Sequence, residues 1–156
     1  MPFERTITIT VLPRVEAYQM EYRFTDAYWN VNRLEMEVGE TYDAIYVLVL
    51  DKELRDEVVV GGITFRLEEM LYRARAGVQR IRVSRAEDVA RHIAENLIGV
   101  GVSGKTDAIS FTSEFDWWSG NRIATRFHIT GASPGTARLS AYVIVDRFLL
   151  NYRRVE

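Results

Sequence analysis

The sequence predicts an α+β fold: a mainly antiparallel sheet or open barrel of about seven strands, with two helices inserted mid-chain and packed on one face. Three observations point there. The first and last thirds alternate apolar and polar residues with a period of two, as half-buried strands do. The middle third changes to helical spacing. The segments between strands are short and turn-like, which favours antiparallel neighbours over the long crossovers that parallel pairing needs. At 156 residues, with 47% hydrophobic and 27% charged residues, the chain is expected to form one domain, 1–156, around its own core.

The elements follow in order. "TITITVL" places Ile7, Ile9 and Val11 on one face and ends at Pro13. "AYQMEYRF" sets Tyr18, Met20, Tyr22 and Phe24 against Gln19, Glu21 and Arg23, and "RLEMEV" sets Leu34, Met36 and Val38 against Arg33, Glu35 and Glu37. "YDAIYVLVL" is apolar on both faces from Ala44 to Leu50, the mark of a central strand covered on both sides. "KELRDE" fits one turn of helix. "VVVGGITF" reads as a tight hairpin on Gly61-Gly62. "RLEEMLYRARAG" predicts the first helix, with Leu67, Met70, Leu71 and Ala74 on one side and Gly77 as its stop. After the short strand "VQRIRV", residues 84–97 predict the second helix: Ser84 and Glu87 spell a capping box, and Val89, Ile93 and Leu97 follow at spacing four. "AISFTSEFDWW", "RIATRFHIT" and "ARLSAYVIVDRF" alternate again and complete the sheet.

Two stretches suggest chemistry. "GVGVSGKT" spells the phosphate-loop pattern, in which Gly99, Gly104, Lys105 and Thr106 would hold a nucleotide's phosphates. Such a loop follows a buried strand and opens a helix, whose N-terminus supplies part of the anion's field. Here the helix comes before the string and an alternating segment after it, so the context argues against the motif.

The second stretch is the polar face of the C-terminal meander. Residues opposite each other on paired strands share a face. A three-residue connection, Ser119-Gly120-Asn121, pairs Trp118 with Arg122, Glu114 with Arg126 and Thr112 with His128; Arg138, Ser140 and Tyr142 extend that face from the next strand. On this register Trp117 joins the apolar set, and Trp118 lies beside Arg122 where stacking is favourable. Glu114, Arg126, His128, Arg138 and Trp118 together suit an anionic small molecule, with His128 beside a carboxylate as a general base. An ordinary solvated face with cross-strand ion pairs accounts for the same residues. His92, mid-helix beside Ile93, reads as a boundary histidine.

Composition bounds the rest. The chain has no cysteine, which removes disulfides, thiolate metal sites and a cysteine nucleophile, and no cofactor is implied. Eighteen of its twenty cations are arginine, since Lys52 and Lys105 are the only lysines, a usage that suits a thermophile. Charge is uneven: residues 1–60 carry twelve acids and six bases, residues 61–156 ten acids and fourteen bases. The middle arginines alternate with glutamates at helical pair spacing, which disfavours nucleic acid, a partner that needs a one-signed stripe. No apolar run is long enough to span a membrane, and the charged start of the sequence does not read as a signal peptide, so a cytoplasmic location is expected. The expected function is a non-enzymatic binding or scaffold module that self-associates or meets a protein partner, with Thr6–Leu12 and "RFLLNY" as its edge strands. The alternatives are a small-molecule binder or enzyme on the Glu114/Arg126/His128 face, and nucleotide binding at Gly99–Thr106.

Overall fold

The computed structural model describes residues 2–156. Its strands are β1 (Ala17–Trp29), β2 (Thr41–Leu50), β3 (Glu57–Val60), β4 (Ile63–Ala74), β5 (Gly77–Arg82), β6 (Ile98–Gly104), β7 (Ile109–Ser119), β8 (Arg122–Gly131), β9 (Ala137–Val143) and β10 (Arg147–Arg154). One helix, α1 (Ala86–Asn96), and a short 3₁₀ turn at Thr106–Ala108 complete the elements of the described residues. With 57% of residues in strands and 9% helical, the two-helix α+β expectation is overturned: the chain is a half-barrel antiparallel sheet with a single α-helix.

The sheet runs β3-β4-β10-β1-β2-β8-β7, with β5 joining β4, and β6 and β9 form a separate ribbon. β1 is the strand that curls it. Ala17–Arg23 pair with β10, Phe24–Trp29 pair with β2, and the register slips between Phe24 and Asp26. One extra residue there bends the strand and raises its twist. The two halves of β1 therefore belong to two differently oriented parts of one sheet. Their inner faces meet in a continuous core that includes Tyr22, Leu48, Leu50, Met70, Ile93, Phe127, Phe148 and Leu150, all at 1% exposure or less. Each fully buried side chain of this size contributes about 1.5–3 kcal/mol.

The largest correction concerns β4, expected as a helix. Its register against β10 slips between Leu67 and Glu69, so Glu68 is an extra residue without an opposite partner. Phe65 and Leu67 point inward before the slip, and Met70 points inward after it. A bulge thus turns spacing two into spacing three, and Leu67, Met70, Leu71 and Ala74 mimic a helix face. The Gly61-Gly62 hairpin and the β5 strand match their expected positions.

Helix α1 matches its apolar pattern: Val89, Ala90 and Ile93 are fully buried and Leu97 is 1% exposed. Its start differs. Arg85, not Ser84, is the N-cap residue, and Asp88 accepts a hydrogen bond from the Arg85 N–H at 3.2 Å. The Ala86 N–H donates to Asp56 Oδ1 at 2.6 Å, so a distant segment anchors the first turn.

Several expected strands are absent or displaced. Residues 5–15 form no strand and stand off the body, with Ile7, Ile9, Val11 and Leu12 75–87% exposed. Residues 31–37 form no ladder, although Leu34 and Met36 pack on the core. Residues 51–56 contain no helical turn. "ARLSAYVIVDRF" is broken at residues 144–146 into β9 and β10, and "RFLLNY" is an interior strand held between β1 and β4, not an edge.

Candidate functional site

The outer face of β2, β8 and β7 carries the densest polar cluster of the expected site. β2 aligns Asp43 with His128 and Ile45 with Arg126, while β7 aligns Thr112 with His128 and Glu114 with Arg126. His128 lies between two carboxylates: its Nδ1 is 2.6 Å from Asp43 Oδ1 and its Nε2 is 2.9 Å from Glu114 Oε1. Arg126 donates one N–H to Asp43 Oδ2 and another to Asp116 Oδ2, each at 3.0 Å. One arginine and one histidine therefore link three acids in a continuous chain.

The charges bias one another. The hydrogen bond to Glu114, reinforced by Asp43, raises the His128 pKa above its ordinary value. The bonds from His128 and then Arg126 hold the Asp43 carboxyl below the usual range. His128 is thus held toward its charged form, with both ring nitrogens occupied. A general base needs a free lone pair facing substrate, and neither nitrogen offers one in this arrangement.

Glu114, Arg126 and His128 come together on one face; Trp118 and Arg138 do not join them. The hairpin closes on two residues, Gly120-Asn121, with Ser119 opposite Arg122. The register then slips between Phe115 and Trp117, leaving Asp116 as the extra residue. That bulge exchanges the two tryptophans. Trp117 is 38% exposed on the polar face, while Trp118 packs against the core and donates its indole N–H to Gly120 O at 3.0 Å. Arg138 belongs to β9, which pairs with β6 and not with β8.

Sequence reasoning missed Asp43 and the part played by Asp116. Asp43 lies at the exposed start of β2, where an acid needs no partner, so nothing local marks it. A β2–β8 pairing separated by some eighty residues is not legible locally. Asp116 meets Arg126 from the bulge position, where it has no opposite residue on β8.

The string Gly99–Thr106 lies elsewhere and is mostly strand. Gly99 to Gly104 pair residue by residue with Tyr142 to Ala137 of β9. Its glycines have local causes. A Cβ on Gly99 would fall 2.4 Å from the Tyr142 ring, and Gly104 has φ +77° with the Thr136 carbonyl 2.6 Å from where its Cβ would stand. Lys105 donates to Asp107 Oδ1 at 3.1 Å and to Ser133 Oγ at 3.3 Å. Only the three-residue turn at Thr106–Ala108 follows it, so no helix N-terminus faces the lysine.

His92 is half-buried in α1, its Nε2 3.0 Å from the Tyr72 hydroxyl, and burial lowers its pKa. A cleft of about 500 Å³ opens on the other half of the outer face, between Glu21, Leu71, Arg73, Arg147 and Leu149, away from the His128 cluster. Among the described residues no group of three or more His, Asp or Glu side chains is arranged to hold a metal ion, and no helix is long and apolar enough to cross a membrane. The chain matches no protein-family model, no curated protein and no solved structure.

Proposed function

We propose that this chain is a non-enzymatic binding or scaffold module of a thermophile that works by self-association. The observation that carries the reading is the N-terminal arm. Phe3, Ile7, Ile9, Val11, Leu12 and Val15 are 55–90% exposed within a single stretch. Apolar residues scattered singly over a surface need no explanation, but a contiguous set of this kind marks a surface that is covered in use.

The His128 cluster supports the same reading. Its acids and bases pair with one another, as in a stabilised sheet face. The arginine-rich surface, with pairs such as Arg66–Glu57 at 2.9 Å and Arg80–Glu69 at 3.3 Å, fits a protein that works at high temperature, where ion-pair networks gain relative weight.

Light scattering coupled to size exclusion tests the proposal. The full chain is expected to elute as a discrete oligomer that reverts to monomer in the double variant Ile7→Asp/Ile9→Asp. A chain that stays monomeric at high concentration while binding a metabolite through the Asp43–Glu114–Arg126 face would sink it in favour of the ligand-binding alternative.

A further inference from the structure

We infer that β7 of one molecule receives residues Thr6–Leu12 of a second copy as an added strand. This rests on the self-association reading and names its surface.

The donor has the alternation of a strand and no partner. Residues 3–13 make no backbone hydrogen bond to the rest of the described chain. Ile7, Ile9 and Val11 form one row and Thr6, Thr8 and Thr10 the other. Backbone groups of an extended segment satisfy one another only across a ladder, and an open sheet edge supplies one.

The acceptor is the last strand in the sheet order. Its inward row is Ile109, Phe111, Ser113 and Phe115; the three apolar members are half-buried and border the core, and Ser113 is exposed. Its outward row begins Ser110, Thr112. With the arm's apolar row inward, Ile7, Ile9 and Val11 would extend the core beside Phe111, and the threonines would stand beside Ser110 and Thr112. Threonine opposite serine or threonine is a favourable cross-strand pairing. The in–out alternation also fixes the register to alternate positions, because a slip of one residue turns the apolar row to solvent. The charges and the bulge of β7, Glu114 and Asp116, lie in its second half, leaving Ile109–Ser113 uncharged and regular. Seven extended residues span about 23 Å, Ile109–Ser113 about 17 Å and the whole of β7 about 36 Å, so the arm covers the regular half and runs on past Glu114.

The β3–β5, β1 and β6 edges fit less well. The β3–β5 edge is split into pieces of four and six residues, and Arg80 and Arg82 lie on its outward row. The open side of β1 is occupied by Asp51, whose N–H donates to Arg23 O, and by Lys52, which donates to Glu21 O. β6 has glycine at positions 99, 101 and 104, which offer no side chain to a neighbour. Donor and acceptor exist in the same chain, so a two-fold exchange uses both arms and both edges and leaves neither open.

The absence of native cysteine makes the test direct. Thr8→Cys protein is mixed with each of Ser110→Cys, Thr112→Cys and Glu114→Cys and oxidised gently, with Ser140→Cys on β9 as the control. One β7 position is expected to give mixed disulfide dimers at least about tenfold above the control, the excess that a docked geometry provides. A discrete oligomer with no excess at β7 overturns the docking site and leaves self-association standing. A monomer throughout overturns both. A Thr8→Cys/Thr112→Cys chain that closes only on itself at high dilution, while the mixed singles stay uncoupled, assigns the arm to its own edge and overturns the exchange between copies.

Discussion

The N-terminal arm and β7 differ little in pattern and completely in fate. Both carry alternating apolar and small polar residues, Thr6–Val11 in the arm and Ile109–Thr112 in β7. β7 is hydrogen-bonded along its length to β8 through a two-residue turn, and α1 packs on its inner face, with Arg91 over the Phe115 ring at 4.6 Å from the centroid. The arm has neither a tight turn nor a cover. It is tied down only where it meets the body, by Arg14 to Glu156 at 2.6 Å and by the Arg154 N–H to Glu16 O at 2.8 Å. Alternation therefore prepares a segment to be a strand, and a neighbouring edge at low entropic cost makes it one.

The widest test of that contrast is truncation on each side. Phe127 is fully buried on β8, against Trp29 at 5.0 Å and Phe111 at 6.0 Å between ring centroids. Phe127→Ala is expected to cost about 3–5 kcal/mol in denaturant unfolding. Ile9→Ala, measured where the protein is monomeric, is expected to change stability by less than about 0.5 kcal/mol. A comparable loss in both would show that the arm packs on its own body. A smaller effect is expected where a loop is fixed rather than free. Asp56→Ala removes the acceptor at the start of α1 and is expected to cost about 1 kcal/mol, seen as a lower thermal midpoint.

The His128 cluster sharpens the comparison through pH. His128 binds its proton more tightly folded than unfolded, so its contribution is full below the unfolded value of about 6.5 and is lost as pH rises through the raised folded value. Asp43 acts oppositely: its contribution is present above the ordinary carboxylate range and is lost as pH falls through its lowered value. His92, depressed by burial, also loses stability as pH falls, so total stability mixes two histidines of opposite sign. The difference between the wild type and His128→Asn isolates one of them. That difference is expected to be largest near pH 5–6 and to shrink above about pH 7; a gap that grows with pH would contradict the bridged geometry. The smallest effect is expected at Lys105→Ala, within about 0.5 kcal/mol and without any nucleotide-dependent change in midpoint, since the lysine's partners are the surface groups of Asp107 and Ser133.

Legibility followed the range of the interactions. α1 was readable because its apolar spacing is contained in fourteen residues. The Glu114–Arg126 and Thr112–His128 pairings were readable because a short hairpin joins their strands, even though the turn is one residue shorter than expected; the bulge at Asp116 absorbs the difference. The bulges themselves were not readable. Glu68 disguised β4 as a helix, and Asp116 reversed Trp117 and Trp118, because one inserted residue changes which side of a strand every later residue faces. Asp43 and the interior place of β10 depend on partners far along the chain, for which a single sequence holds no local mark.

The neighbouring positions of Ala17 and Arg153 have a mechanical consequence. β1 and β10 run antiparallel from the points where the chain enters and leaves the sheet. A force pulling those two points apart acts across the ladder and not along it. It would load the Ala17–Arg153 rung first and then each following rung in turn, so the strands would unzip at low force. Anchoring through the arm and through a side-chain position on β7 would load the intervening ladders differently, and the same body would resist extension according to where it is held.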